Sequence, residues 1–263
     1  MSSATGSTQT APLIITSNED AEDFNPQPDE ACFCGSGKTF ATCCGSTEEV
    51  REPPYGLFMF ENFIDPEKAR ELTEYAEQCE GEPLMMIDEK KSTPDNIVKI
   101  QDERRITERV KLGARSKEFQ DLMGQAFIEL AERCAGVKLD WYETPSLMRY
   151  RAGGHYARHA DSQNWDTDTN KWHKVIDRDL SMLIYLNEDY EGGELTFNNF
   201  NYVILPWAAS AVLFPSDHRY VHQAHTVKKG VRYAMVSWAS VKGVPKISPK
   251  PPENAVFVEY QPE

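Results

Sequence analysis

The chain has 263 residues, 40% of them hydrophobic and 27% charged, enough for one substantial domain with appendages around a real core. A formal net charge of −14 excludes a non-specific nucleic-acid binder, which needs a basic footprint, but leaves a protein partner open. No window approaches 18 uninterrupted apolar residues, and the opening MSSATGSTQTAPLIITSNED lacks the basic start and apolar run of a secretory signal, so a cytoplasmic protein with no membrane span is expected.

Residues 1–29 are polar, acidic and poor in aromatics, and read as a disordered arm. Residues 30–46 hold Cys32, Cys34, Cys43 and Cys44, four of the six cysteines. Such clustering reads as a metal site in a reducing compartment. Four thiolates this close can close a tetrahedral zinc site, with Gly35, Ser36 and Gly37 supplying the turn between the pairs. The alternative, two disulfides, suffers from poor spacing for unstrained bridges. A closed four-thiolate site offers no open position and is structural. So small a module should fold only with its metal. Cys79 and Cys134 are expected on helix faces as core thiols.

Residues 47–54 form a charged linker ending in Pro53-Pro54. GLFMFENF then reads as a strand, and PEKARELTEYAEQCE as a helix started by Pro66, with Ala69, Leu72, Ala76 and Cys79 on one face. KSTPDNIVKIQDERRITERV resists assignment. SKEFQDLMGQAFIELAERCAGV reads as a helix capped by Ser116, burying Phe119, Leu122, Met123, Phe127, Leu130 and Cys134. After Trp141 come short strands at close spacing: PSLMRYR, HYARHAD, DLSMLIYLN, GELTF, NYVIL, SAVLF, YVHQAHTV and VRYAMVSWA. The Pro-rich residues 244–263 read as an extended tail. The fold class is thus mostly β with supporting helices (α+β): N-terminal helices against a double-sheet jelly roll over 55–243.

Within that roll, His159 and Asp161 are two apart on a strand and share a face. One imidazole and one carboxylate need a third ligand, and His218, His222 and His225 cluster in DHRYVHQAH. His218 follows PSD and falls in a turn, while His222 and His225 face opposite ways. In the next strand Arg232, Ala234, Val236 and Trp238 share a face, so His222 and Arg232 can enter one pocket. Two His and one carboxylate with open positions is the ligand set of non-haem Fe(II) oxygenases.

From about Tyr55 to Val241 the chain resembles the prolyl-4-hydroxylase-like Fe(II)/2-oxoglutarate dioxygenases. The resemblance rests on LFMFENFIDPEKARELTEYAE, YRAGGHYARHAD, LIYLNEDYEGGELTF and AVLFPSDHRYVHQAHTVKKGVRYAMVSW, with nine residues between His222 and Arg232. It implies that His159, Asp161 and His222 bind Fe(II), and favours His222 over His225. It further implies that Arg232 pairs with the distal carboxylate of 2-oxoglutarate, joined by the Tyr185 hydroxyl, with Tyr150 lining the same pocket. O2 is then the oxidant, succinate leaves, and a C–H bond is hydroxylated; ascorbate fits the same chemistry. His155, His173, His218 and His225 are read as structural or solvent-facing.

The expected substrate is a prolyl residue of a protein. A free amino acid or other small molecule is the alternative within the chemistry, and a catalytically inactive binding roll the alternative outside it. In the resembling family the region matching Met86–Arg109 closes over the peptide, so this segment is expected to be a mobile lid. CxCGSGxxxxxCC in the cysteine block resembles the SEC-C zinc motif, which implies a protein partner, with the substrate docked partly through the zinc module.

Overall fold

The computed structural model describes residues 21–48, 52–87, 96 and 99–260. Two facing antiparallel sheets form the jelly roll expected from the strand pattern. The strands that matter are β1 (Phe58–Phe60), β2 (Gly81–Pro83), β3 (Arg105–Ile106), β4 (Glu108–Val110), β5 (Leu139–Glu143), β6 (Ser146–Arg151) and β7 (His155–His159). They continue with β8 (Leu180–Tyr185), β9 (Leu195–Phe197), β10 (Tyr202–Ile204), β11 (Ala211–Pro215), β12 (His222–Ala224), β13 (Val231–Val241) and β14 (Ala255–Phe257). The larger sheet runs β1-β11-β8-β13-β6-β4-β2, with β5 also on β13 and β14 beyond it; the smaller runs β10-β9-β12-β7-β3. Among the described residues no helix is long and apolar enough to cross a membrane.

Helix α1 (Pro66–Gln78) starts where Pro66 was expected to start it, and the Asp65 carboxylate accepts from the N–H groups of Glu67 and Lys68. Such a cap contributes about 1 kcal/mol. Ala69, Leu72 and Ala76 are buried, but Cys79 lies just past the helix end. Helix α2 (Ser116–Leu130) differs more. Ser116 does not cap it; a 3-10 turn, Gly113–Arg115, leads in and no side chain caps the end. Regular α geometry stops at Leu130, where a π turn, Ala131–Ala135, follows and Gly136 ends it at φ 67°. Phe119, Met123, Phe127 and Leu130 are buried as expected.

Other segments depart from the sequence reading because backbone pairing outweighs side-chain pattern. The unassigned KSTPDNIVKIQDERRITERV supplies β3 and β4, which join opposite sheets. Only the flanks of the expected lid can be placed: Met86–Ile87 pairs with Lys99–Ile100, and the tip, 88–95, lies outside the described residues. The polar run after Asp161 makes a hairpin, Gln163–Asp166 against Lys171–Lys174, with Trp165 opposite Trp172. Its turn is fixed by Asp166, which accepts from the Asp168 N–H and Thr169 hydroxyl. The tail is partly a strand, since β14 pairs with β5 and the Leu139 N–H donates to the Tyr260 hydroxyl.

The N-terminal arm ends in packed structure. Residues 1–20 lie outside the described residues, but Ala21 bridges to Trp172, whose indole N–H donates to Asp23 at 3.0 Å. The Phe24 ring meets Phe33, Phe40 and Phe200 edge-on. An apolar ring in a polar segment can anchor it when a facing surface exists, and the cysteine block supplies that surface. Phe33 in turn stacks on Phe200 at 5.9 Å and meets Tyr55 at 5.6 Å. The cysteine block is therefore continuous with the core of the roll.

Candidate active site and thiol cluster

β7 and β12 are neighbours in the smaller sheet, and their register sets His222 opposite His159. β7 stops at His159, yet the chain stays held at the end of β11 in the larger sheet because the Asp161 and Ser162 N–H groups both donate to the Ser216 carbonyl. The Asp161 carboxylate thus returns between the two imidazoles, with Oδ1 3.5 Å from His159 Nε2 and Oδ2 3.7 Å from His222 Nε2. One ligand atom from each of the three residues lies within 4.8 Å of the others. His225 faces away, half a strand further on, with Nε2 near Thr196 Oγ1 at 2.8 Å. His218 is buried against Gln163 and Trp172.

The ring orientation suits metal binding. His159 Nδ1 meets the Ala157 carbonyl at 2.9 Å and His222 Nδ1 meets the Tyr220 carbonyl at 3.0 Å. Donation at Nδ1 leaves each Nε2 lone pair aimed inward, the usual device for presenting a ligand imidazole. The Ser181 hydroxyl donates to Asp161 Oδ2 at 2.7 Å and touches the Ser216 hydroxyl at 2.7 Å, fixing the carboxylate plane. Burial, and then His159, push the His222 imidazole down from 6.5 to about 4, against the pull of Asp161. Burial would raise Asp161, but His222, His159 and the Ser181 hydroxyl outweigh it and keep the carboxyl well below its ordinary range. Near neutral pH Asp161 and His222 are therefore in their metal-binding forms.

The His222 shift gives a stability prediction for the metal-free protein. Between pH 6.5 and about 4 the unfolded chain takes up a proton at this residue and the folded chain does not. Stability therefore falls as pH falls through that window. From pH 6.5 to 5 the loss from this group is about 2 kcal/mol. Urea midpoints at several pH values in the absence of metal check it; His222→Ala should flatten the decline, and an unchanged slope would contradict the assignment.

A cavity runs from this triad to Arg232 on β13, lined also by Tyr150, Tyr156 and Trp238. Arg232 is 1% exposed. Its guanidinium lies 4.7 Å from the Tyr150 ring centre and 5.1 Å from that of Tyr185, and Nη2 donates to the Tyr185 hydroxyl at 3.3 Å. Nε and Nη1 have no hydrogen-bond partner, nor does the buried Tyr190 hydroxyl. Burial would discharge the guanidinium, but the phenol oxygens of Tyr185, Tyr150 and Tyr190 outweigh it and the pKa is raised. A buried, charged, half-satisfied guanidinium is costly unless a planar anion completes it. Gly193 makes room: at φ 70°, a Cβ there would stand 3.1 Å from Arg232 Cδ.

The deciding observation is this pairing of a two-His, one-carboxylate set with an anion-seeking arginine at the far end of one cavity. Residues 145–240 match the 2OG-Fe(II) oxygenase superfamily. Residues 30–46 match the SEC-C motif. The chain is 37% identical over 101 residues to a PKHD-type hydroxylase of Hyphomonas neptunium, covering 36% of this chain and 42% of the relative. It is 36% identical over 98 residues to a PKHD-type hydroxylase of a Psychrobacter species, covering 36% of each. The chain thus spans less than half the length of these curated relatives. A solved Pseudomonas putida prolyl-4-hydroxylase superposes with a TM-score of 0.48 at 18% identity, over 72% of this chain and 94% of that one.

Beyond the triad lies an outer cavity lined by Arg105, Arg109, Glu143, Tyr156, Arg178 and Trp238 among others. Tyr156 stacks on His159 with ring centres 3.6 Å apart, and Arg105 lies 4.3 Å over the other side of Tyr156. Arg178 lies 3.6 Å over Trp238 and forks onto Glu143 at 2.5 and 2.9 Å. Sequence reasoning missed Ser181, Tyr190, Tyr156 and Arg105. Only Ser181 carries a local signal, as a polar residue inside the apolar strand DLSMLIYLN.

In the cysteine block the four Sγ atoms of Cys32, Cys34, Cys43 and Cys44 lie within 4.8 Å of one another, and none is in a disulfide. Gly35 and Gly37, at φ 73° and 74°, turn the chain between the pairs. Burial works against Cys34, but Ser36, Cys32 and Cys43 bring its thiol down to about 7. Burial and the Cys32 and Cys34 sulfurs push Cys44 up. Four crowded sulfurs that cannot all ionise alone fit a tetrahedral dication, which removes that conflict by binding the thiolates.

Proposed function

We propose that the protein is an Fe(II)- and 2-oxoglutarate-dependent dioxygenase that hydroxylates a C–H bond, and that its substrate is a prolyl residue of a protein. The observation that carries this reading is the buried Arg232 with two unpaired nitrogens across one cavity from His159, Asp161 and His222. In this reading the triad holds Fe(II) and leaves positions open for the keto-acid end of 2-oxoglutarate and for O2. Bound iron would couple decarboxylation of 2-oxoglutarate to insertion of one oxygen atom into the substrate C–H bond, yielding the alcohol, succinate and CO2.

The chain's own residues have separate tasks. Arg232 and Tyr185 clamp the distal carboxylate, and Tyr190 supplies a further hydroxyl. Ser181 holds the Asp161 plane, while Tyr150 and Tyr156 exclude water from the guanidinium and from the His159 edge. The outer cavity, lined by Arg105, Arg109, Arg178, Glu143 and Trp238, offers charged and polar groups for polypeptide flanking the reacting residue. That favours a macromolecular substrate over a free amino acid. The exposed turn 35–39 of the zinc module is a candidate second contact for such a partner.

The test is isotopic. Under 18O2, with Fe(II), ascorbate and 2-oxoglutarate, a proline-containing peptide library should gain one labelled oxygen on proline, matched by succinate. Label on free amino acids but not on peptides would replace the protein-substrate reading. No succinate under any substrate mixture would favour an inactive binding roll.

A further inference from the structure

Three hydrogen bonds, linked through the covalent frames of Tyr55 and Tyr220, join the two candidate metal-ligand sets. Cys44 Sγ accepts from the Tyr55 backbone N–H at 3.3 Å. The Tyr55 carbonyl accepts from the Tyr220 hydroxyl at 2.6 Å. The Tyr220 carbonyl accepts from His222 Nδ1 at 3.0 Å. Cys44, Tyr55, Tyr220 and His222 are all buried. A second path is packing: Phe33, between Cys32 and Cys34, stacks on Phe200, and Phe200 lies 5.4 Å from Tyr220.

Tyr220 closes a three-residue 3-10 turn, His218–Tyr220, immediately before β12. The first part of the turn is pinned by Asn199, which donates to the His218 and Arg219 carbonyls, and by the Asp217–Arg219 ion pair, while the Tyr220 hydroxyl ties its last residue to Tyr55. The Tyr220 carbonyl sets the tautomer and plane of the His222 ring. Partners of this kind are worth about 10–100-fold in metal affinity.

We propose that the four-cysteine module is a positioning element for His222, acting through Tyr55 and Tyr220, so that iron affinity depends on the state of the thiol site. This rests on the reading of His222 as an iron ligand. With the thiol site filled, the Cys44 sulfur is an anionic acceptor and the Tyr55 backbone is held. With it empty, the module loses the metal it folds around, Tyr55 is released, and the Tyr220 hydroxyl loses its anchor, so the carbonyl facing His222 Nδ1 is left to the rest of its turn alone. An independent docking knob would leave iron affinity untouched.

Three variants of the full-length protein test this. Tyr220→Phe removes the hydroxyl link and keeps the ring. Cys43→Ser removes a thiol ligand that is not on the path. Tyr75→Phe removes a comparable bond, from its hydroxyl to the Leu112 carbonyl at 2.7 Å, away from both sites. Anaerobic Fe(II) affinity, bound zinc, thermal midpoint and amide exchange over 220–224 in iron-free protein are measured for each. Tyr220→Phe should keep its zinc, bind Fe(II) roughly 3–10-fold more weakly and exchange faster over 220–224. Cys43→Ser should lose zinc and weaken iron binding by roughly 10–100-fold. Tyr75→Phe should lower the thermal midpoint without either effect. Wild-type iron affinity in Tyr220→Phe overturns the proposal, as does equal weakening in Tyr75→Phe. If Cys43→Ser does not fold, Tyr220→Phe still decides. If the wild type binds no Fe(II), the oxygenase reading fails on its own, and exchange over 220–224 still reports whether the thiol site holds the turn.

Discussion

Arg232→Met is expected to lower 2-oxoglutarate affinity about 100-fold or more while leaving the metal-free protein at least as stable. The two halves have opposite signs for one reason. With 2-oxoglutarate bound, the guanidinium meets a carboxylate in a site 1% exposed, and removing one partner of such a pair costs about 3–5 kcal/mol. At about 1.4 kcal/mol per ten-fold, that is at least two decades in affinity. Without the ligand, Nε and Nη1 are buried and unpaired, and an apolar side chain of similar length removes that cost. Tyr185→Phe deletes one hydrogen bond to a charged group and should cost less, about 1–2 kcal/mol of 2-oxoglutarate affinity. Calorimetric titration and thermal melts of the same preparations check all of this. Unchanged 2-oxoglutarate affinity in Arg232→Met would remove the anion-site assignment.

Asp161→Ala is expected to reduce iron binding and turnover to background with the fold intact. The carboxylate stands between two imidazoles at 3.5 and 3.7 Å, and no other described acid in the cavity lining can replace it. The backbone at this position remains held, because the Asp161 N–H donates to the Ser216 carbonyl whatever the side chain. His159→Ala and His222→Ala should behave alike. His225→Ala should be near wild type, since its ring touches only Thr196 and Gln223 at the surface. Loss of iron in His225→Ala with retention in His222→Ala would exchange their roles.

What was legible in the sequence follows from how local each feature is. His159 and Asp161 are two residues apart, so proximity alone marks them as partners, although the strand ends at His159 and the bonds to Ser216, not alternation, place Asp161. His222 and Arg232 could be paired because they fall in consecutive apolar stretches with nine residues between them, although the short strand Val227–Lys229 intervenes. Arg105 reaches the cavity, and Tyr190 the Arg232 end, from segments distant in sequence, so no spacing marks them; Ser181 shows only as a polar residue in an apolar strand. The jelly roll was legible from its short apolar strands. β3, β4 and the Trp165–Trp172 hairpin were not, because they are polar segments held by backbone pairing. Phe24 and Phe33 look like isolated rings in a polar N-terminus. Only the fold shows that they close over Phe200 and Tyr55, which turns an apparently separate cysteine block into part of the core.

The central claim is that one cavity binds Fe(II) at His159, Asp161 and His222 and 2-oxoglutarate between that metal and Arg232. Anaerobic titration of 2-oxoglutarate into the protein, with and without one equivalent of Fe(II), tests it directly. The account predicts one equivalent bound, strong dependence on the metal, and loss of binding in both Asp161→Ala and Arg232→Met. Binding that is indifferent to Fe(II), or that survives both substitutions, would contradict it.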